Sequence, residues 1–127
     1  MAELRDIDWL GTSYEDLKDF PTDAMGEAGY QLDKIQRDIE PDDWKPMTTV
    51  GPGVREIRIT AESGEYRVFY AVKVPGLVHV LHAFHKTTRQ TSQRNIEKGR
   101  TAYREVETAM QAARKVKKTA KNRRKME

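Results

Sequence analysis

The sequence predicts an α+β fold: a small, mainly antiparallel sheet packed against two N-terminal helices, with a helix at the C-terminus. Three observations predict it. Apolar residues recur at helical spacing in the first third of the chain, three strand-like runs separated by turns follow, and a last helical stripe comes after them. In this order of elements the two N-terminal helices cover one face of the sheet, and we expect the other face to stay partly open.

The N-terminal third predicts a short strand and a helical hairpin. "ELRDIDWLG" is typical of a strand, with Trp9 expected in the core. Thr12 and Glu15 have the spacing of a capping box for a first helix, which ends before Pro21. The second helix ends before Pro41, and its apolar face is formed by Met25, Ala28, Leu32, Ile35 and Ile39.

A loop and three strands are predicted next. The segment "DDWKPMTTVGPG" contains prolines and glycines that indicate a loop. The strands are "VREIRIT" at 54–60, "YRVFYAVKV" at 66–74 and "LVHVLHAFHK" at 77–86. The last of these is the most apolar, so we expect it at the centre of the sheet.

The C-terminal segment predicts an amphipathic helix followed by a basic tail. The helix carries an apolar stripe of Ile96, Gly99, Tyr103, Val106 and Met110. Residues 114–127 hold eight Lys or Arg and one Glu, so we expect a frayed helix or disorder there. The predicted organisation is one domain at 1–113 and a basic tail at 114–127.

Charge is distributed unevenly along the 127 residues, although the net charge is only +3. Residues 1–46 hold 13 acidic and 5 basic residues, and residues 47–127 hold 18 basic and 7 acidic ones. A basic half of this kind favours a polyanionic partner, with an ordinary soluble surface as the alternative. No membrane partner is expected. The N-terminus lacks a signal-peptide pattern and the chain has no cysteine, so we expect a cytoplasmic protein.

Three cations are expected to meet on the open face of the sheet. Strand alternation places Arg67 on the side opposite Tyr66 and Val68, which should face the helices. Arg58 joins it from the neighbouring strand, and Lys86 lies where the last strand ends. Such a group suits a phosphate, because Arg offers a planar fork of donors and Lys a point charge. The alternative is that the two arginines are ordinary outward residues paired with Glu56 or Glu65.

The three histidines do not predict a metal site. His79, His82 and His85 are spaced three apart in a strand, so neighbouring members are expected on opposite faces. One of them could titrate near neutral pH, but hydrogen-bonded structural histidines are the simpler interpretation. We expect no metal and no cofactor.

Six short motifs in the same order resemble one protein family. They are "WLGTSYEDL", "GYQL", "KPM", "GVREIR", "YRVFY" and "VLHAF", between residues 9 and 84. The sequence resembles the HigB-like, phage-derived branch of the RelE/ParE toxin superfamily. The resemblance implies the fold predicted above and a toxin of a type II toxin–antitoxin pair, neutralised by a cognate antitoxin that is a small helix-turn-helix, HigA-like protein.

The same resemblance implies a metal-independent endoribonuclease that cleaves mRNA on the ribosome. The implied catalytic residues are Arg67, Lys86 and Arg58, and the implied RNA-binding residues are Arg55, His85, Thr88 and Arg89. Where many relatives have two consecutive lysines, this chain has Lys86 and Thr87. Two alternatives remain open, a gyrase-inhibiting toxin of the same fold and a non-catalytic nucleic-acid-binding accessory protein.

Overall fold

The computed structural model describes the backbone of residues 4–126 and the side chains of residues 4–116. It contains five strands and three helices within that range. In chain order they are β1 (Asp6–Trp9), α1 (Ser13–Lys18), α2 (Thr22–Gln36), β2 (Trp44–Pro46), β3 (Arg55–Ala61), β4 (Gly64–Ala71), β5 (Leu77–Lys86) and α3 (Gln93–Met126).

The five strands form one sheet in the order β1-β5-β4-β3-β2. β1 runs parallel to β5, and the other neighbours are antiparallel. The predicted α+β fold with a mainly antiparallel sheet is therefore confirmed. Two details differ. β4 and not β5 is the middle strand, and β2 forms within the predicted loop because its residues Trp44–Pro46 pair with Ile57–Arg55 of β3.

The first face of the sheet packs against α1 and α2, as predicted. Tyr66, Val68 and Tyr70 of β4 are buried in this core together with the apolar face of α2. Trp9 is only partly buried at the margin of the core. Ile39 does not belong to α2, which ends at Gln36, and it is half exposed because it lies beyond the last helical turn.

The predicted capping box of α1 does not form. The Thr12 side chain makes no capping bond to a backbone N–H. Its hydroxyl instead donates to the carboxylate of Asp16 at 2.8 Å, because Asp16 lies one helical turn further along the chain.

The second face is largely covered by α3, whereas the sequence predicted a face left partly open below two helices. Phe69 of β4, Leu81 of β5 and Tyr103 and Val106 of α3 are buried together in a second core. Gly99 makes this close packing possible, since a Cβ there would lie 2.9 Å from the ring of Phe69. The open part of the second face is consequently confined to the end of the sheet near Arg58 and Lys86.

α3 continues without interruption to Met126, so the backbone of the basic tail is helical as far as that residue. The residues of α3 that pack against the sheet are those of the predicted apolar stripe, whereas Gln111 to Val116 are exposed. No helix within the described residues is both long enough and apolar enough to cross a membrane.

Candidate functional site

Four cationic residues lie on the end of the second face that α3 leaves uncovered. Arg58 of β3 and Arg67 of β4 are direct cross-strand partners, so their side chains share this face. Lys86 follows at the next position along β5, opposite Glu65. Lys45 of β2 completes the group, which we call the cation cluster: Lys45, Arg58, Arg67 and Lys86.

A buried carboxylate lies beneath the cation cluster. Glu56 of β3 has no exposed side-chain surface. Its Oε1 lies 3.6 Å from Arg67 Nε and 3.7 Å from Lys45 Nζ, and Thr91 Oγ1 donates to its Oε2 at 3.4 Å. Neither Glu56 Oε1 nor Arg67 Nε has a hydrogen-bond partner among the protein atoms that the structure describes. The opposite charges thus lie near each other, but the ion pairs of Oε1 do not have the geometry of hydrogen bonds.

Arg67 is held more firmly on its other side. Its Nη1 donates to Glu65 Oε2 at 3.1 Å and to the backbone carbonyl of Tyr66 at 2.9 Å. The hydrogen bond from Arg67 lowers the pKa of the Glu65 carboxyl below its ordinary value. Only 6% of the Arg67 side chain is exposed. The sequence left open that Arg67 is paired with Glu56 or Glu65, and in the structure it is paired with both. Arg67 therefore lies in the floor of the cluster.

The surroundings of Lys86 lower its pKa. Partial burial lowers the pKa of its ammonium group, and the charges of Arg67, Lys45 and Arg58 lower it further. The negative charge of Glu56 acts in the opposite direction. An amine whose proton is held less tightly than that of an ordinary lysine can exchange a proton with a bound ligand nearer to neutral pH.

The residues expected to bind RNA are not all near the cluster. Arg55 lies on the opposite face of the sheet, where its guanidinium stacks on Trp44 at 3.9 Å and donates to Glu40 at 3.0 Å. Alternation along β3 causes this, because Arg55 and Arg58 are three residues apart. Thr88 and Arg89 are exposed in the loop that follows Lys86.

His85 is also exposed, but it points to the first face. Its ring stacks on that of Tyr66 with centroids 4.7 Å apart. It lines a groove of about 490 Å³ between the end of α1 and the start of α3. The structure therefore separates His85 from the cation cluster by the thickness of the sheet.

The other two histidines make structural hydrogen bonds. The prediction that His79 and His82 lie on opposite faces is wrong, because a β-bulge between Phe69 and Tyr70 shifts the pairing with β5. His79 Nδ1 is 2.8 Å from Asp8, and His82 Nε2 is 2.7 Å from Asn95 Oδ1. Within the described part of the chain no three His, Asp or Glu side chains are grouped as metal ligands.

Sequence reasoning missed three members of the site. The sequence predicts a loop at Lys45 and an ordinary surface ion pair for Glu56, and it gives no indication of the contact made by Thr91. The sequence does contain one indication that Glu56 is buried. It lies two residues after Val54, so the alternation of a strand places the two side chains on the same face, and Val54 is buried. A carboxylate at a buried strand position needs cations beside it.

Comparison with known proteins identifies the family to which these residues belong. No match to a curated protein was found. One protein family, described as phage-derived protein Gp49-like (DUF891), matches residues 15–104. That range runs from α1 through the first third of α3 and includes every member of the cation cluster. Because the match covers well over half of the 127 residues, the chain belongs to the family of phage-derived Gp49-like proteins.

Proposed function

We propose that this protein is the toxin of a type II toxin–antitoxin pair and that it cleaves mRNA on the ribosome as a metal-independent endoribonuclease. The observation that carries the proposal is the convergence of Lys45, Arg58, Arg67 and Lys86 on the uncovered end of the sheet. Membership of a phage-derived family and the resemblance to HigB-like toxins support it further.

RNA carries its own nucleophile, so the protein needs to supply only charge and proton transfer. The 2′-oxygen attacks the adjacent phosphorus, and the bond from phosphorus to the 5′-oxygen of the next nucleotide breaks. The products are a 2′,3′-cyclic phosphate and a 5′-hydroxyl. The site must hold these atoms in line, stabilise the added negative charge and take the 2′-hydroxyl proton.

The roles of the cations follow from their chemistry. Arg58 is exposed and Arg67 forms the floor, so both are assigned to the phosphate oxygens. An arginine keeps its proton at any physiological pH, so the group that accepts the 2′-hydroxyl proton must be a lysine, and we assign this role to Lys86. Its lowered pKa supports this assignment. The leaving 5′-oxygen takes its proton from water.

A cognate antitoxin would have to cover or distort the cation cluster. We expect a small helix-turn-helix, HigA-like protein that presents acidic groups to it. Because the attraction is between exposed charges, binding should weaken as salt increases.

The test is cleavage of a defined mRNA by purified protein on translating ribosomes, with the new 5′ ends mapped. We expect cuts that leave a cyclic phosphate, and a loss on the order of 10²–10⁴ in rate for Lys86→Gln. Arg37→Gln is the matched control, since Arg37 is a surface residue at the end of α2 that forms an i,i+4 ion pair with Asp33. If folded Lys86→Gln cleaves as fast as the wild type, the proposed role of Lys86 is wrong.

The requirement for a metal is tested separately. Cleavage of free RNA, which needs no ribosomal magnesium, is measured with and without EDTA. We expect no difference, because the proposed reaction uses only side chains and the 2′-hydroxyl. Loss of cleavage on chelation would contradict a metal-independent mechanism.

A non-catalytic nucleic-acid-binding role is the second candidate. The observation that favours it is the strongly basic sequence of residues 114–127, together with the exposure of residues 111–116, which contribute to neither core. Ribosome binding with intact mRNA in the assay above would support this role. Inhibition of DNA supercoiling in a gyrase assay would instead support a gyrase-inhibiting toxin.

A further inference from the structure

We propose that Glu56 is a positioning residue of this site, which holds the guanidinium of Arg67 from behind and is the buried anion that sets the charge balance of the cation cluster. The consequence for cleavage rests on the proposed function. The positioning does not, because it can be measured in the protein alone.

The complete burial of Glu56 limits how it can act. A carboxylate with no exposed surface is costly unless opposite charges and donors compensate it. Here the compensation comes from Arg67, Lys45 and Thr91, all on the second face. Glu56 is too deeply buried to touch an RNA phosphate, so any role in the site must act through its neighbours.

The contacts of Glu56 are longer than those of an ordinary structural ion pair. Charge-assisted hydrogen bonds from Arg or Lys to a carboxylate are about 2.7–2.9 Å long. Glu56 Oε1 instead lies 3.6 Å from Arg67 and 3.7 Å from Lys45, and it forms a hydrogen bond with neither. The carboxylate is therefore shared between two cations that would otherwise repel each other. This arrangement holds the buried Arg67 and the more exposed Lys45 on either side of one carboxylate.

The charge balance around Lys86 depends on Glu56. The groups that act on it are Arg67 of β4, Arg58 and Glu56 of β3, and Lys45 of β2. Glu65 is the direct cross-strand partner of Lys86, but its carboxylate accepts hydrogen bonds from Arg67 and Thr60. Glu56 is thus the buried anion that opposes three cations at Lys86. Removing its charge should make the ammonium group lose its proton more readily.

Two substitutions separate the charge of Glu56 from its reach. Glu56→Gln keeps the size and removes the charge, and Glu56→Asp keeps the charge and withdraws it by one methylene. In each variant, NMR measures the pKa of Lys86 from its titration and the hydrogen exchange of the Arg67 Nε–H. Glu62→Gln is the control, because Glu62 is exposed in the turn between β3 and β4.

We expect Glu56→Gln to lower the pKa of Lys86 and to speed exchange at Arg67 several-fold. We expect Glu56→Asp to speed that exchange while the pKa of Lys86 stays close to the wild-type value. A Glu56→Gln protein in which neither quantity changes would overturn the proposal. If neither variant folds, the wild type decides, since exchange at Arg67 as fast as at the exposed Arg58 would also overturn it.

The pH dependence of cleavage is a further test, because replacing a residue with a purely structural role would not shift it. If neutral Lys86 accepts the proton, activity rises with pH through the pKa of Lys86. The rise should therefore occur at lower pH in Glu56→Gln than in the wild type, whereas an unchanged profile counts against the link to Lys86. A wild-type protein that cleaves no RNA at any pH contradicts the proposed function, and the NMR result for Glu56 stands apart from it.

Discussion

Arg58 and Arg67 are direct cross-strand partners, so two positive charges share one position on the second face of the sheet. Like charges in this relationship destabilise a sheet. The packing of the protein does not require an arginine at this position, because Arg58 is exposed and contributes to neither core. An unfavourable pair of this kind is expected where the local field serves to bind an anion.

Replacing Arg58 with Thr should therefore raise stability and reduce activity. Removal of the repulsion is expected to increase the free energy of unfolding by up to about 1 kcal/mol, because Thr also suits a strand. Cleavage should fall, since Thr cannot hold a phosphate oxygen as the guanidinium does. Urea denaturation and the ribosome assay measure the two effects. A decrease in stability would show that Arg58 is held by attraction and not merely tolerated.

Replacing Arg67 with Ala should destabilise the fold as well as abolish activity. The change would leave Glu56 buried without its nearest cation, and breaking a buried ion pair in this way costs roughly 3–5 kcal/mol. Arg67→Ala combined with Glu56→Gln should recover much of the stability but none of the activity. Equal stability of wild type and Arg67→Ala would contradict this account.

Local pattern was enough to predict every helix and strand except β2, but not the burial of the site. The alternation of β4 correctly placed Tyr66 and Val68 toward the helices and Arg67 away from them. The covering of that second face could not be read from β4, because it depends on where α3 packs. The depth of Glu56 has the same origin, and the role of Lys45 depends on a three-residue strand formed by pairing with β3.

Gly99 tests the close contact between α3 and the sheet. Alanine is a better helix former than glycine by about 1 kcal/mol, so propensity alone predicts that Gly99→Ala stabilises. A Cβ at this position would lie 2.9 Å from Phe69 and 3.0 Å from Val50, which are both buried. We therefore expect Gly99→Ala to lower the melting temperature.

Gly26→Ala in α2 is the matched control for Gly99→Ala. A Cβ at Gly26 meets nothing within 4 Å, so this variant should be more stable than the wild type. If both alanine variants raise the melting temperature, α3 does not lie as close to the sheet as the structure places it.

His82 should make stability sensitive to mild acid. Burial lowers the pKa of its imidazole below the ordinary value of 6.5, so the unfolded chain binds a proton more readily than the folded one. Stability therefore falls as pH drops from about 6.5 toward the folded-state pKa. Thermal melts between pH 7 and pH 5 should show this fall, and it should be reduced in His82→Gln. An equal fall in both proteins would assign the acid sensitivity to other groups.

The basic end of α3 should strengthen ribosome binding without taking part in the chemistry. Arg114 lies 21 residues along the helix from Gln93, which is about 30 Å at 1.5 Å per residue, and the residues beyond it lie further away. Deleting residues 114–127 removes eight Lys or Arg, and the salt dependence of binding becomes flatter as fewer phosphates are neutralised. We expect weaker co-sedimentation with ribosomes, a smaller salt slope and an unchanged cleavage pattern at saturating protein.

A full-length chain with those eight residues changed to Gln is the control, because it keeps the length and removes the charge. Unaltered ribosome binding in both proteins would show that the end of α3 does not touch the ribosome. Loss of cleavage at saturation would place it in the active site and contradict the predicted boundary between 113 and 114.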